Sequence, residues 1–177
     1  MAQLRVDFFL GPDCISRLIA RYGANTGGWS HCASVLKDGR LLDARSDVLA
    51  GVPAGVHIRR PETEPWVRRC SATLEVTDVE YADWEANLRA KITDAYGRSD
   101  IVSILIGRPG HHDGQWICSA LAINAVQHVS RSWTRPHLGF VPFPLPMEAH
   151  EISPDMALLS LATAGFTIGH IQTPSTP

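Results

Sequence analysis

No apolar run in this chain of 177 residues approaches the length needed to cross a bilayer. The longest, Ile101 to Ile106 with Ser103 inside it, falls far short of the ~20 residues a spanning helix requires. The N-terminus, MAQLRVDFFLGPD, lacks a basic region followed by a long apolar stretch and a small-residue cleavage site, so a secretory signal is not expected and the cytoplasm is the expected compartment. Cysteine is scarce and never paired in sequence. Cys14, Cys32, Cys70 and Cys118 include no CxxC, which argues against a zinc ribbon and a disulfide framework and for reduced thiols. Charge is scarce too: 19% of residues are charged and the formal net charge is −2, with no electrostatic reason to expect nucleic acid or an anionic membrane as partner. Internal repeats and a domain linker are also lacking. What remains is an ordinary globular composition, 45% hydrophobic, expected to form one domain over residues 1–177 with a short polar tail from about 171.

The most informative stretch is Trp29 to Ala44, WSHCASVLKDGRLLDA. Two apolar runs flank Lys37-Asp38-Gly39, a strong local signal for a β-hairpin. With Gly39 in the left-handed position of a three-residue loop, Leu36 pairs with Arg40, Ala33 faces Asp43, and His31 falls diagonally across from Asp43 on one face. A two-residue turn would slip the register by one and send the two side chains to opposite faces. Cys32 points away from His31, toward the core.

Around the hairpin the pattern predicts a strand over Leu4 to Leu10 and a helix over Cys14 to Tyr22, with Ile15, Leu18 and Ile19 as its apolar stripe. Short strands are expected at Val56–Arg59 and Cys70–Val76. Thr77 and Glu80 have the spacing of a capping box, opening a helix that runs to about Tyr96, with Tyr81, Trp84, Leu88, Ile92 and Ala95 on its apolar side. Arg108 to Gly114 reads as a loop, Trp116 to Val129 as a helix with Cys118 in its first turn, and Ser153-Pro154 as the start of a last helix running to about Thr163.

A cysteine at a helix start is chemically poised, because the unpaired N–H groups there stabilise a thiolate and can hold an oxyanion. Taken alone, such a residue is most often a small buried hydrophobe. Combined with a strand-borne histidine and an acidic residue on the same face, Cys118, His31 and Asp43 have the makings of nucleophile, base and orienting group. Adjacent histidines on a glycine-bounded loop are usually solvated, so His111, His112 and Asp113 are not expected to bind metal; a zinc site built from His31, Cys118 and the His111-His112 pair is a minor reading. His57 reads as an exposed strand residue. Trp29 and Trp116 flank the proposed pair and either wall an apolar pocket or simply pack.

The segments ISRLIARYGANTGGWSHCASVLKDGRLLDA, GVHIRRP, AYG and WICSALAINAV together resemble the permuted NlpC/P60 papain-like hydrolases, the group that includes YiiX/YaeF-type proteins and lecithin retinol acyltransferase. The resemblance implies an α+β, circularly permuted papain-like fold, an antiparallel sheet packed against helices. It implies a cysteine peptidase, amidase or acyl hydrolase, with acyl transfer as a variant, needing no cofactor or metal. Cys118 matches the nucleophile, His31 the base, and Asp43 the third polar residue, which in that group sits twelve positions after the histidine. Tyr96 matches a tyrosine before the cysteine segment; it either packs on the core as a helix-end aromatic or, with Trp29 and Trp116, is a candidate for contacting substrate. Ala120 stands where the motif often has Glu. The implied partner is a small-molecule, peptide or lipid-like substrate with an amide or ester. An alternative is a catalytically idle papain-like binding module, and delivery by phage or a secretion apparatus would suit either.

Overall fold

The computed structural model describes residues 1–22, 28–46, 53–97, 115–130 and 152–174. Strands β1 (Ala2–Leu10), β2 (His31–Val35), β3 (Leu41–Arg45), β4 (Gly55–Arg59), β5 (Arg68–Val76) and β8 (Thr167–Ile168) form a six-stranded antiparallel sheet in the order β4-β3-β2-β1-β5-β8. A second, two-stranded parallel pair joins β6 (Ala95–Tyr96) to β7 (Gln115–Trp116). The helices among the described residues are α1 (Cys14–Tyr22), α2 (Asp78–Arg89), α3 (Cys118–Ser130) and α4 (Pro154–Thr163). The chain is therefore α+β with an antiparallel sheet.

Alternation along β1 divides the sheet into two faces. Leu4, Val6 and Phe8 join Cys32, Leu42 and Val56 beneath Trp84 of α2, Leu121 and Val126 of α3 and Leu161 of α4 in one large core. Burying each such large apolar side chain contributes about 1.5–3 kcal/mol, and the docking of α3 onto β2 and β3 rests on that area. On the opposite face Phe9, Ala33, Val35 and Leu41 form a smaller cluster with Trp66.

The turn between β2 and β3 has three residues. Gly39 adopts φ +82°, its N–H donates to the Leu36 carbonyl at 2.9 Å, and the Leu36 N–H donates to the Arg40 carbonyl at 2.8 Å. Val35 then pairs with Leu41 and Ser34 with Leu42, so Ala33 stands opposite Asp43 with His31 diagonal to it, the register expected from the sequence. Nothing lies within 4 Å of a Cβ placed on Gly39. Gly39→Ala is therefore expected to cost only the left-handed backbone strain, about 1–2 kcal/mol by urea denaturation, with Gly39→Asn costing less. Equal stability of the alanine variant would contradict this turn.

α2 opens with the expected capping box: the Thr77 hydroxyl accepts from the Glu80 N–H and the Glu80 carboxylate accepts from the Thr77 N–H. It ends at Arg89, however, and not near Tyr96. Ile92 and Thr93 are β-branched and propagate a helix poorly, and the chain instead pairs with β4, the Thr93 N–H donating to the Val56 carbonyl and the Val56 N–H to the Asp94 carbonyl, each at 3.0 Å. Thr93 takes φ +81°. Gly55 makes this close approach possible, since a Cβ there would meet the Asp94 oxygen at 2.7 Å.

Two further expectations change. Trp116 belongs to β7, beside Tyr96, and the helix starts two residues later at Cys118. On α1, Ile15 and Leu18 of the apolar stripe are solvent-exposed, at 65% and 47%. Among the described residues of the polar tail, Gln172 exchanges backbone hydrogen bonds of 3.0 and 2.7 Å with Arg69. The segments around Ile101–Ile106, Arg108–Gly114 and the proline-rich 140–148 lie outside the described residues. Among those described, no helix is long and apolar enough to cross a membrane.

Candidate active site

His31 is the first residue of β2, and its Nε2 lies 2.6 Å from Oδ2 of Asp43. The Phe9 ring stacks beside the imidazole, with centroids 6.3 Å apart. Asp43 is held from its other side by Arg59, at the end of β4, whose Nε donates to both carboxylate oxygens at 3.0 Å while Nη2 donates to Oδ2. The same Nη2 is 2.6 Å from Oε2 of Glu64, which Arg45 also meets, at 2.5 Å. The pairing of Asp43 with His57 across β3 and β4 accounts for this: Arg59, two residues on, shares the face of His57 and lies diagonal to Asp43.

The side chains of Asp43, Arg59 and Glu64 are almost wholly buried, at 1%, 2% and 3% exposure. Charges so buried persist only when compensated. Two carboxylates and two guanidinium groups cancel, leaving a protonated His31 to be balanced by something else. A Cys118 thiolate would supply that balance.

Cys118 opens α3 and is buried. The ladder between β2 and β3 is paired only at Val35–Leu41 and Ser34–Leu42, toward the turn. The helix contacts both strands, and its first residue reaches the open end of β2. There the Cys32 thiol, the His31 ring and the Cys32 backbone are the groups that act on the Cys118 sulfur. With His31 Nε2 committed to Asp43, Nδ1 is the ring nitrogen left for the thiol. The N–H groups of the first turn of α3 have no acceptor within the helix and add partial positive charge.

These contacts set the titration of the cluster. The hydrogen bond from Cys32 first, then, against burial, the charge and hydrogen bond of His31 hold the Cys118 thiol well below its ordinary value. Burial alone would lower His31; the negative charges of Cys118, Glu64 and Asp43, with the Asp43 hydrogen bond, raise it to about 10. Asp43 is also opposed by burial, yet His31 and Arg59 hold its carboxyl well below the usual carboxylate range. Cys32 moves the other way, its thiol pushed well up by burial and then by its hydrogen bond to Cys118. These directions favour a thiolate beside an imidazolium.

The three residues read from the sequence as nucleophile, base and orienting group thus come together in one cluster. The aromatic residues fare differently. Trp29 is a core residue at 2% exposure, its backbone N–H on Asp155 at 3.2 Å and the Arg68 guanidinium 5.3 Å above its ring; packing on the core leaves it no face for a substrate. Trp116 is half-buried, donating its indole N–H to Asp94 at 2.9 Å beneath the Lys91 ammonium, with Tyr96 paired alongside in β6. Their strands, β6 and β7, both contact β4, which carries Arg59. His111, His112 and Asp113 lie outside the described residues.

His31, Asp43 and Glu64 offer donor atoms within 4.8 Å of one another, close enough for a metal ion. The Arg59 guanidinium already bonds to both carboxylates, so this donor set is occupied by a fixed cation and does not fit a metal. Sequence reasoning missed Arg59, Glu64 and the thiol contact of Cys32. The alternation of β4 carried a signal for Arg59, because it sets that residue on the face of His57; Glu64 follows a 3-10 turn at Pro61–Thr63 and had none. No protein-family model matches the chain, and no curated protein matches it.

Proposed function

We propose that this protein is a thiol-dependent hydrolase of amides or esters, built on a circularly permuted papain-like (NlpC/P60) plan. The observation that carries the reading is the placement of Cys118, at the start of a helix, beside a His31 ring anchored by Asp43. A thiolate is a strong nucleophile, an imidazolium is a ready acid, and the two groups are neighbours.

In the reaction the Cys118 thiolate attacks the substrate carbonyl, and first-turn N–H groups of α3 hold the oxyanion as it forms. Collapse breaks the bond to the leaving amine or alkoxide, which takes the His31 proton. Neutral His31 then removes a proton from water, hydroxide attacks the thioester, and Cys118 leaves as thiolate with His31 protonated again. Asp43 keeps the ring oriented through both steps, and Arg59 keeps Asp43 charged.

An activated ester such as a p-nitrophenyl ester is expected to give a burst of product and an acyl adduct that peptide mass mapping places on Cys118. Absence of both the adduct and turnover, across esters and amides of short, long and peptidic acyl chains, would overturn the proposal.

A further inference from the structure

Cys32 makes and breaks no bond in the hydrolytic steps, yet it is a second thiol beside the first. Strand alternation turns its side chain toward α3, away from His31, and it sits buried in the main core with Cys118. The helix that Cys118 opens packs on the strand that carries Cys32, and Cys118 is the side chain that acts most on the Cys32 thiol. The other cysteines are placed differently. Cys14 is exposed on α1, and Cys70 pairs with Phe8, the residue that pairs with Cys32 from the opposite side. Cys32 and Cys70 are therefore two strand spacings apart, about 10 Å between Cα atoms, beyond the roughly 7 Å that a disulfide can bridge.

From this placement we propose that Cys32 is the resolving thiol of an oxidation site, so that hydroperoxides convert Cys118 reversibly into a Cys32–Cys118 disulfide and switch the protein off. The inference rests on Cys118 being a reactive thiolate, as in the proposed function. In the first step the thiolate attacks one oxygen of the hydroperoxide; the O–O bond breaks, sulfur is oxidised to sulfenic acid, and the peroxide is reduced to water or an alcohol after taking a proton. In the second, the Cys32 sulfur attacks the sulfenic sulfur, an S–S bond forms, and the hydroxyl leaves with the Cys32 proton as water. Dithiol reductants reverse the outcome. Burial raises the Cys32 thiol, so it does not compete with Cys118 for the oxidant; contact with the sulfenic acid compensates for its weak acidity. Without such a partner, a sulfenic acid proceeds to sulfinic acid, which dithiol reductants do not reverse.

The test treats the full chain with hydrogen peroxide, alkylates the remaining thiols and maps disulfide-linked peptides, before and after dithiothreitol. The expected product is lighter by two hydrogens, contains one Cys32–Cys118 linked pair, and regains its Cys118 thiol on reduction; Cys32→Ala instead loses that thiol irreversibly as sulfinic acid. The linkage is read on the unaltered protein, so it does not depend on the variant folding. Sulfinic acid at Cys118 with no linked pair, a link through Cys70 or Cys14, or a Cys118 inert to peroxide would each overturn the inference. A linked pair in a protein that never forms an acyl adduct would overturn the hydrolase and leave the oxidation site standing.

Discussion

Cys118→Ala is expected to reduce ester or amide hydrolysis to the uncatalysed background, with no acyl adduct and an unchanged circular dichroism spectrum. Alanine removes one sulfur from a site already shaped by Leu121, Ala122 and the strands beneath them, so the packing penalty is small. The chemical penalty is complete, because no other group at the start of α3 can form the thioester. His31→Ala is expected to lower the rate by about a hundredfold to ten-thousandfold, the range for loss of a positioned acid-base group. The two losses should not add: the double variant should be no slower than Cys118→Ala, since a base without its nucleophile has nothing to activate. Turnover that survives in Cys118→Ala would place the chemistry elsewhere.

Arg59→Met is expected to be the most damaging single change to stability. The guanidinium bonds to Asp43 and Glu64, both buried, and methionine keeps much of the volume while withdrawing the charge. Removing one partner of such a cluster typically costs about 3–5 kcal/mol, whereas an exposed ion pair is worth about 0–1 kcal/mol. The sign of the pH dependence follows from Asp43. Its carboxyl is held low in the folded protein, so its contribution is present above the unfolded value of about 3.9 and is lost as pH falls through the folded value. The gap between wild type and variant, measured by urea denaturation, should therefore be widest near neutral pH and narrow under acid conditions. A gap below about 1 kcal/mol at neutral pH would mean that the cluster is solvated.

The parts of this architecture legible from sequence are those governed by neighbours in the chain. The Lys37-Asp38-Gly39 turn set its own register because a glycine at φ +82° admits the three-residue loop, and that register alone aligned His31 with Asp43. The Thr77–Glu80 box and the Ser153 cap marked helix starts for the same reason: the bonds span three residues. Helix ends were less legible. α2 stops where Thr93 and Asp94 find β4, some 37 residues earlier in the chain, and Trp116 leaves the helical pattern to pair with Tyr96. The candidate site divides along the same line. Cys118, His31 and Asp43 carried local signals of helix start, strand and hairpin, while Glu64 enters through Arg59 and Arg45 without one, and the contact of Cys32 with Cys118 depends on how α3 docks over the open end of the β2–β3 ladder.

The pairing of a Cys118 thiolate with a His31 imidazolium is tested most directly by the rate of Cys118 alkylation with iodoacetamide as a function of pH, read by peptide mass mapping in wild type and His31→Ala. In wild type the reaction should already be fast and level from about pH 6 to 8, where an ordinary thiol is still largely protonated, and should change again only as His31 loses its proton near 10. In His31→Ala the thiolate loses the charge and the hydrogen bond of the ring, so the onset of alkylation should shift to higher pH. A wild-type profile that rises with the midpoint of a free thiol, ~8.5, and is unmoved by His31→Ala would contradict the ion pair and the hydrolase built on it.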